Sequence, residues 1–202
     1  MASTRVVVRD LIISFPKLFQ PDDGPDPKNP RPRYAATLIA TKEVQQSESW
    51  RQLQDAILLA AEKKFPGKGA AMVKSGKIKT SIRDDGEDKG HPKGSLFFNA
   101  RSIDPPGVVD RTADPATGKP RVITEDDQVV GGAYEVYSGC IVHASVTPYY
   151  YDQAGNKGIA FALNNIQRWA DGARLDNRKA AEDEFEGQLS DTPASLDGMD
   201  IE

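Results

Sequence analysis

Three stretches of the chain place cations and flat rings at strand-like spacing. Lys77, Lys79, Ser81 and Arg83 alternate with Ile78, Thr80 and Ile82; Phe97, Asn99 and Arg101 alternate with Leu96, Phe98 and Ala100. His143, Ser145, Thr147, Tyr149 and Tyr151 alternate with Val142, Ala144 and Val146. A period of two puts each set on one face of an extended segment. Cations beside rings on one face are what a protein needs to hold a nucleic-acid single strand: the cations neutralise phosphates, and bases stack on the rings at about 1–3 kcal/mol each. The candidate phosphate contacts are Lys77, Lys79, Arg83 and Arg101, and the candidate stacking residues are Phe97, His143, Tyr149 and Tyr151. The other reading of the same rings is structural. They could close barrel ends or pack beneath loops, and His143 could be a surface histidine with no task.

Catalytic constellations are hard to find. Pro66-Gly67-Lys68-Gly69 and Gly76-Lys77 suggest a phosphate loop, but the GxxxxGK[ST] spacing is not met, and Ile78 stands where a hydroxyl would reach magnesium. Asp84, Asp85, Glu87 and Asp88 could hold a divalent ion for a metal-dependent nuclease, although contiguous loop acids are usually just solvated. Cys140 and His143 are three apart on one strand, hence on opposite faces, which denies them a thiolate–imidazole pair. One cysteine and two histidines cannot make a disulfide framework or an ordinary Cys/His zinc cage. No metal, cofactor or enzymatic activity is expected. No run approaches the roughly 18 to 20 apolar residues that cross a bilayer, and no apolar signal region follows the N-terminus, so a soluble intracellular protein is expected.

The net charge of −4 is unevenly spread. Residues 1–179 hold all 26 Lys and Arg against 22 Asp and Glu, an excess of four positive charges, whereas residues 180–202 hold eight acids and no base. The body suits a polyanionic ligand; the tail repels one.

The elements that must position the candidate residues are mostly strands. Thr4–Phe15 and Tyr34–Thr41 read as strands separated by a proline-rich loop at 20–32. Ser47–Phe65 is the one convincing helix, with Trp50, Leu53, Ile57, Leu58 and Ala61 on an apolar face and Pro66-Gly67 as its stop. Lys74–Arg83 and Ser95–Ile103 read as strands, 104–120 as a second long loop, and Val136–Asp152 and Ile159–Trp169 as a hairpin around Gly155-Asn156-Lys157-Gly158. Many strands, hairpin turns and one inter-strand helix predict a mainly β protein, an OB-fold-like five-stranded barrel with long loops, with a sandwich as the alternative. The expected domain spans 1–175. Residues 176–202 are expected to form a disordered acidic tail, with Leu196, Met199 and Ile201 interleaved among its acids as a handle for a partner.

The stretch 137–172, YSGCIVHASVTPYYYDQAGNKGIAFALNNIQRWADG, resembles the OB-fold single-stranded DNA-binding proteins of tailed bacteriophages in its Gly-Cys opening, tyrosine-rich strand, Gly-Asn-Lys-Gly turn and Leu-Asn-Asn-Ile-Gln run. Lys93–Pro106 and the acidic tail are similar to that family in kind. The resemblance implies sequence-independent coating of single-stranded DNA during phage replication or recombination, in the host cytoplasm, with replication or recombination proteins reached through the tail. Bacterial proteins of like function end in an aromatic, whereas this tail ends Asp200-Ile201-Glu202, which leaves its receptor open. Duplex binding and homo-oligomerisation stay open too. The alternatives are a nuclease or recombination enzyme using residues 84–88 and an acidic protein-interaction module.

Overall fold

The computed structural model describes residues 4–24, 30–153 and 156–175; the tail, with Leu196, Met199 and Ile201, lies outside them. Strand β1, Val6–Asp22, buries Val6, Val8, Leu11 and Ile13. The odd step from Val8 to Leu11 keeps both side chains inside because the register slips there: Val8 faces Ala144 and Leu11 faces Val142. Asp10 absorbs the extra residue at φ 57°. A second slip, between Ser14 opposite Thr37 and Lys17 opposite Ala35, carries β1 past Pro16 with Phe15 at φ 46°. A proline that should end a strand is tolerated at a bulge, so β1 runs seven residues beyond the Phe15 boundary expected from sequence.

β1 pairs with β2, Arg33–Ala40, which pairs in full register with β4, Leu96–Ser102. β7, Ile141–Gln153, and β8, Asn156–Ala170, form a long hairpin, and β7 pairs back onto β1. The ring closes between β4 and β8, Ala100 facing Phe161 and Arg101 facing Ala162. A ring of five strands cannot alternate direction throughout, and this one pair is parallel. The order β1-β2-β4-β8-β7 is that of a five-stranded OB-like barrel, so the expected fold class holds.

Helix α2, Glu48–Lys64, follows the four-residue α1, Lys42–Gln45; Ser47 caps it by accepting from the Trp50 amide at 3.2 Å. Its buried face of Trp50, Leu53, Ala56, Ile57, Ala60 and Ala61 closes the barrel, Trp50 reaching Phe98, which packs on Phe161 with centroids 4.4 Å apart. α3, Gly69–Lys74, folds back on α2 so tightly that a Cβ at Gly69 would sit 2.3 Å from the Ala61 carbonyl.

Two further segments depart strongly from the sequence reading. Of Lys74–Arg83, only β3, Lys79–Thr80, and an isolated bridge from Arg83 to Phe97 are strand. The expected loop at 104–120 contains β5, Gly107–Ala113, which runs parallel to the second half of β8 and carries β6, Pro120–Val122, on its far edge. β5 is held partly by the buried pair Asp110–Arg168 at 3.7 Å, an ion pair that short-range pattern cannot announce.

Candidate nucleic-acid interface

β7 and β8 shape the outer face. Beyond a bulge at Ser145–Val146, β7 turns Thr147, Tyr149 and Tyr151 outward and Tyr150 inward onto Phe65, ring centroids 5.2 Å apart. Pro148 does not disturb this alternation: among the described residues the β1–β7 ladder ends at Val6–Val146, and Pro148 pairs only with Phe161 of β8. Opposite the outward residues stand Ala162, Ala160 and Gly158 of β8. Across β8, Arg101 faces Ala162 and Lys79 faces Gly158. The result is a trough with a floor of small side chains, tyrosines along one wall and exposed cations along the other. Gly158 is required there: a Cβ would meet the Lys79 carbonyl at 2.6 Å. Tyr149 is 45% exposed, so its ring is available to a ligand.

Of the residues singled out from sequence, Lys79, Arg101, Tyr149 and Tyr151 therefore share one surface. Lys77 adjoins it, exposed in the turn ahead of β3. Arg83 and Phe97 are together but differently disposed. Phe97 sits on the outer side of β4, as alternation predicts, and outside the main core. Its ring nevertheless is only 1% exposed. The Arg83 guanidinium lies 4.6 Å and the Lys89 ammonium 5.1 Å from the ring centroid, and His91 meets its edge at 4.8 Å. The expectation that Phe97 offers a free stacking face is corrected: residues 83–91 fold over it. His91 is 5% exposed with neither ring nitrogen hydrogen-bonded. Burial, with Lys89 and Arg83 alongside, pushes its pKa below the usual imidazole value despite Asp85.

The acids of that covering loop do not converge. Glu87 accepts from the Gly94 amide at 3.1 Å, and among the described residues no three His, Cys, Asp or Glu side chains are gathered as metal ligands. Cys140 is fully buried, and burial pushes its thiol up to about 11, so it is a small apolar residue rather than a nucleophile.

His143 lies at the far end of the face. The bulge at Asp10 aims that carboxylate at His143 Nε2, 3.2 Å away, and the imidazole stacks on Trp169 with centroids 4.3 Å apart and planes at 25°. His143 is 9% exposed. Its stacking surface is thus already taken, and the exposed ring of the pair is Trp169, which sequence reading missed. The signal was weak: Ala160, Ala162, Gln167 and Trp169 share the outer face only because the register slips by one near Asn164–Asn165, a change of parity invisible in the pattern.

Residues 4–195 match a family model described as the single-stranded DNA-binding protein of Enterobacter phage Enc34. The chain is similar in fold to the bacteriophage Enc34 single-stranded DNA-binding protein solved in complex with ssDNA: TM-score 0.65, 22% identity, covering 86% of this chain and 90% of that one. A C-terminal truncation of the Enc34 protein gives TM-score 0.64 at 21% identity, covering 85% and 88%. A curated relative, protein p50 of Acyrthosiphon pisum secondary endosymbiont phage 1, is 33% identical over 93 residues, 44% of this chain. The match spans 41% of p50's own length.

Proposed function

The chain belongs to the family of the Enterobacter phage Enc34 single-stranded DNA-binding protein, and from that premise we propose that it coats single-stranded DNA along the β8 trough without reading its sequence. The observation that carries this reading is the trough itself: Gly158, Ala160 and Ala162 as floor, Tyr149 and Tyr151 on one side, Lys79 and Arg101 on the other. Small floor residues let a strand approach the sheet, the tyrosines offer faces to any base, and the lysine and arginine meet phosphates. Rings and flexible cations engage any base and any phosphate, so affinity should depend on charge and stacking rather than sequence. The protein then works in the host cytoplasm during phage replication or recombination, and binding needs no catalytic step.

The acidic segment 180–202 is part of the proposal. With eight acids and no base, it acts as a tethered polyanion that competes with DNA for the trough. Leu196, Met199 and Ile201 give replication or recombination proteins an apolar grip by which to withdraw it.

Titration of a labelled oligonucleotide, single- and double-stranded, at two salt concentrations tests the reading. Tyr149→Ala should weaken single-strand binding by about 1–3 kcal/mol with little change in salt dependence, whereas Lys79→Ala should lower the slope of log K against log salt by about one phosphate contact. Tight single-strand binding that ignores both substitutions would move the site elsewhere. Magnesium-dependent cutting lost on Asp84→Ala with Asp85→Ala would replace the reading with the nuclease one.

A further inference from the structure

The trough accounts for half of the outer face of β8; the other half ends in an aromatic stack with no task in the core. Trp169 is 38% exposed, while the protein's other tryptophan, Trp50, is 2% exposed inside the barrel. The strand order β7-β8-β5 puts His143 on one flank of Trp169 and Arg111 on the other. On the β7 side the imidazole backs the indole at 4.3 Å and is itself fixed by Asp10. On the β5 side the guanidinium carbon of exposed Arg111 stands 5.9 Å from the indole centroid. A base inserted between two flat groups needs about 7 Å, twice a van der Waals contact of about 3.5 Å. The present separation is shorter than that, so Arg111 has to swing outward to admit a base. Its side chain is long and solvated, so the movement costs little.

We propose that Trp169 is a second base-stacking platform, with His143 as its backing and Arg111 as the clamp that covers the base and meets the adjoining phosphate. The proposal rests on the trough reading and extends it along the same strand. Ala160, opposite Tyr149, and Arg168, next to Trp169 and opposite Val142, are seven ladder steps apart, about 23 Å at about 3.3 Å per residue. Between them the outer face carries the polar side chains of Asn165 and Gln167. A single strand lying along β8 thus meets tyrosines at one end and tryptophan at the other. The ligand class is a nucleobase in single-stranded DNA, since base pairing would keep it from entering a one-ring slot.

The test uses the full chain and two oligothymidylates, one of about 5 nucleotides and one of about 20, the latter longer than an OB domain's usual site of about 4–16. The longer oligonucleotide should quench tryptophan emission in the wild type and in Trp50→Phe, and leave Trp169→Phe unquenched. Trp169→Ala should weaken binding of the longer oligonucleotide about 5- to 150-fold, with Trp169→Phe close to wild type because a flat face remains. For the shorter one, held at the tyrosine end, Trp169→Ala should change little. Should Trp169→Ala fail to fold, the quenching comparison between the two phenylalanine variants still decides. Quenching that survives in Trp169→Phe, or undiminished affinity in Trp169→Ala while Tyr149→Ala binds weakly, overturns the platform and leaves the trough standing. A wild type that binds neither oligonucleotide overturns the trough as well.

Discussion

The outward placement of Lys79, Arg101, Tyr149 and Tyr151 was legible from sequence because strand alternation decides which face a residue occupies, and β7 keeps that alternation through Pro148. Phe97 shows where such reasoning stops. Its face was assigned correctly, yet exposure depends on whether another segment crosses it, and residues 83–91 do. His91 holds that cover down as a neutral ring, and its pH dependence has a definite sign. Because burial, Lys89 and Arg83 depress its pKa below the usual 6.5, the unfolded chain takes up a proton at a higher pH than the folded one. Stability contributed by His91 is therefore present above about pH 6.5 and lost as pH falls towards the lowered folded value. Melting temperature should fall between pH 7 and pH 5, with hydrogen exchange rising first in residues 83–94. His91→Phe, which keeps a ring against Phe97, should flatten both trends, and an unchanged profile in that variant would assign the pH dependence to other groups.

Among the elements, α2 and the β7–β8 hairpin were readable because each carries its own period: an apolar stripe at three- and four-residue steps in one, alternation around a Gly-rich turn in the other. β1 was read short, since a proline normally closes a strand and only a bulge with Phe15 at positive φ lets it pass. β5 was missed because it pairs in parallel with a strand more than fifty residues downstream and is pinned by Asp110–Arg168. The Phe15 bulge gives a stability prediction. A phenylalanine in the left-handed region carries a cost of about 1–2 kcal/mol that asparagine largely avoids, and at 67% exposure the ring gives little burial in return. Phe15→Asn should thus stabilise the fold by about 0.5–1 kcal/mol in urea unfolding. A loss of DNA affinity with that gain would instead mark the exposed ring as part of an interface.

At the scale of the whole molecule, charge is divided between a positive body and a negative segment, and this was legible from composition alone. If residues 180–202 compete for the trough, removing them should raise single-strand affinity several-fold at low salt and progressively less as salt screens both polyanions. Equal affinity with and without the segment at low salt would confine its role to partner proteins. The parallel closure between β4 and β8 has a temporal consequence as well. β8 supplies the floor of the trough, Trp169 at its far end and the last seam of the ring. From the end of β4 at Ser102 to the end of β8 at Ala170, a ribosome working at about 5–20 residues per second takes about 3–14 seconds. For that interval the nascent barrel is open along β4, and the floor of the proposed DNA trough is incomplete. The barrel and the trough proposed as its ligand surface are therefore completed by the same strand, and neither precedes the other.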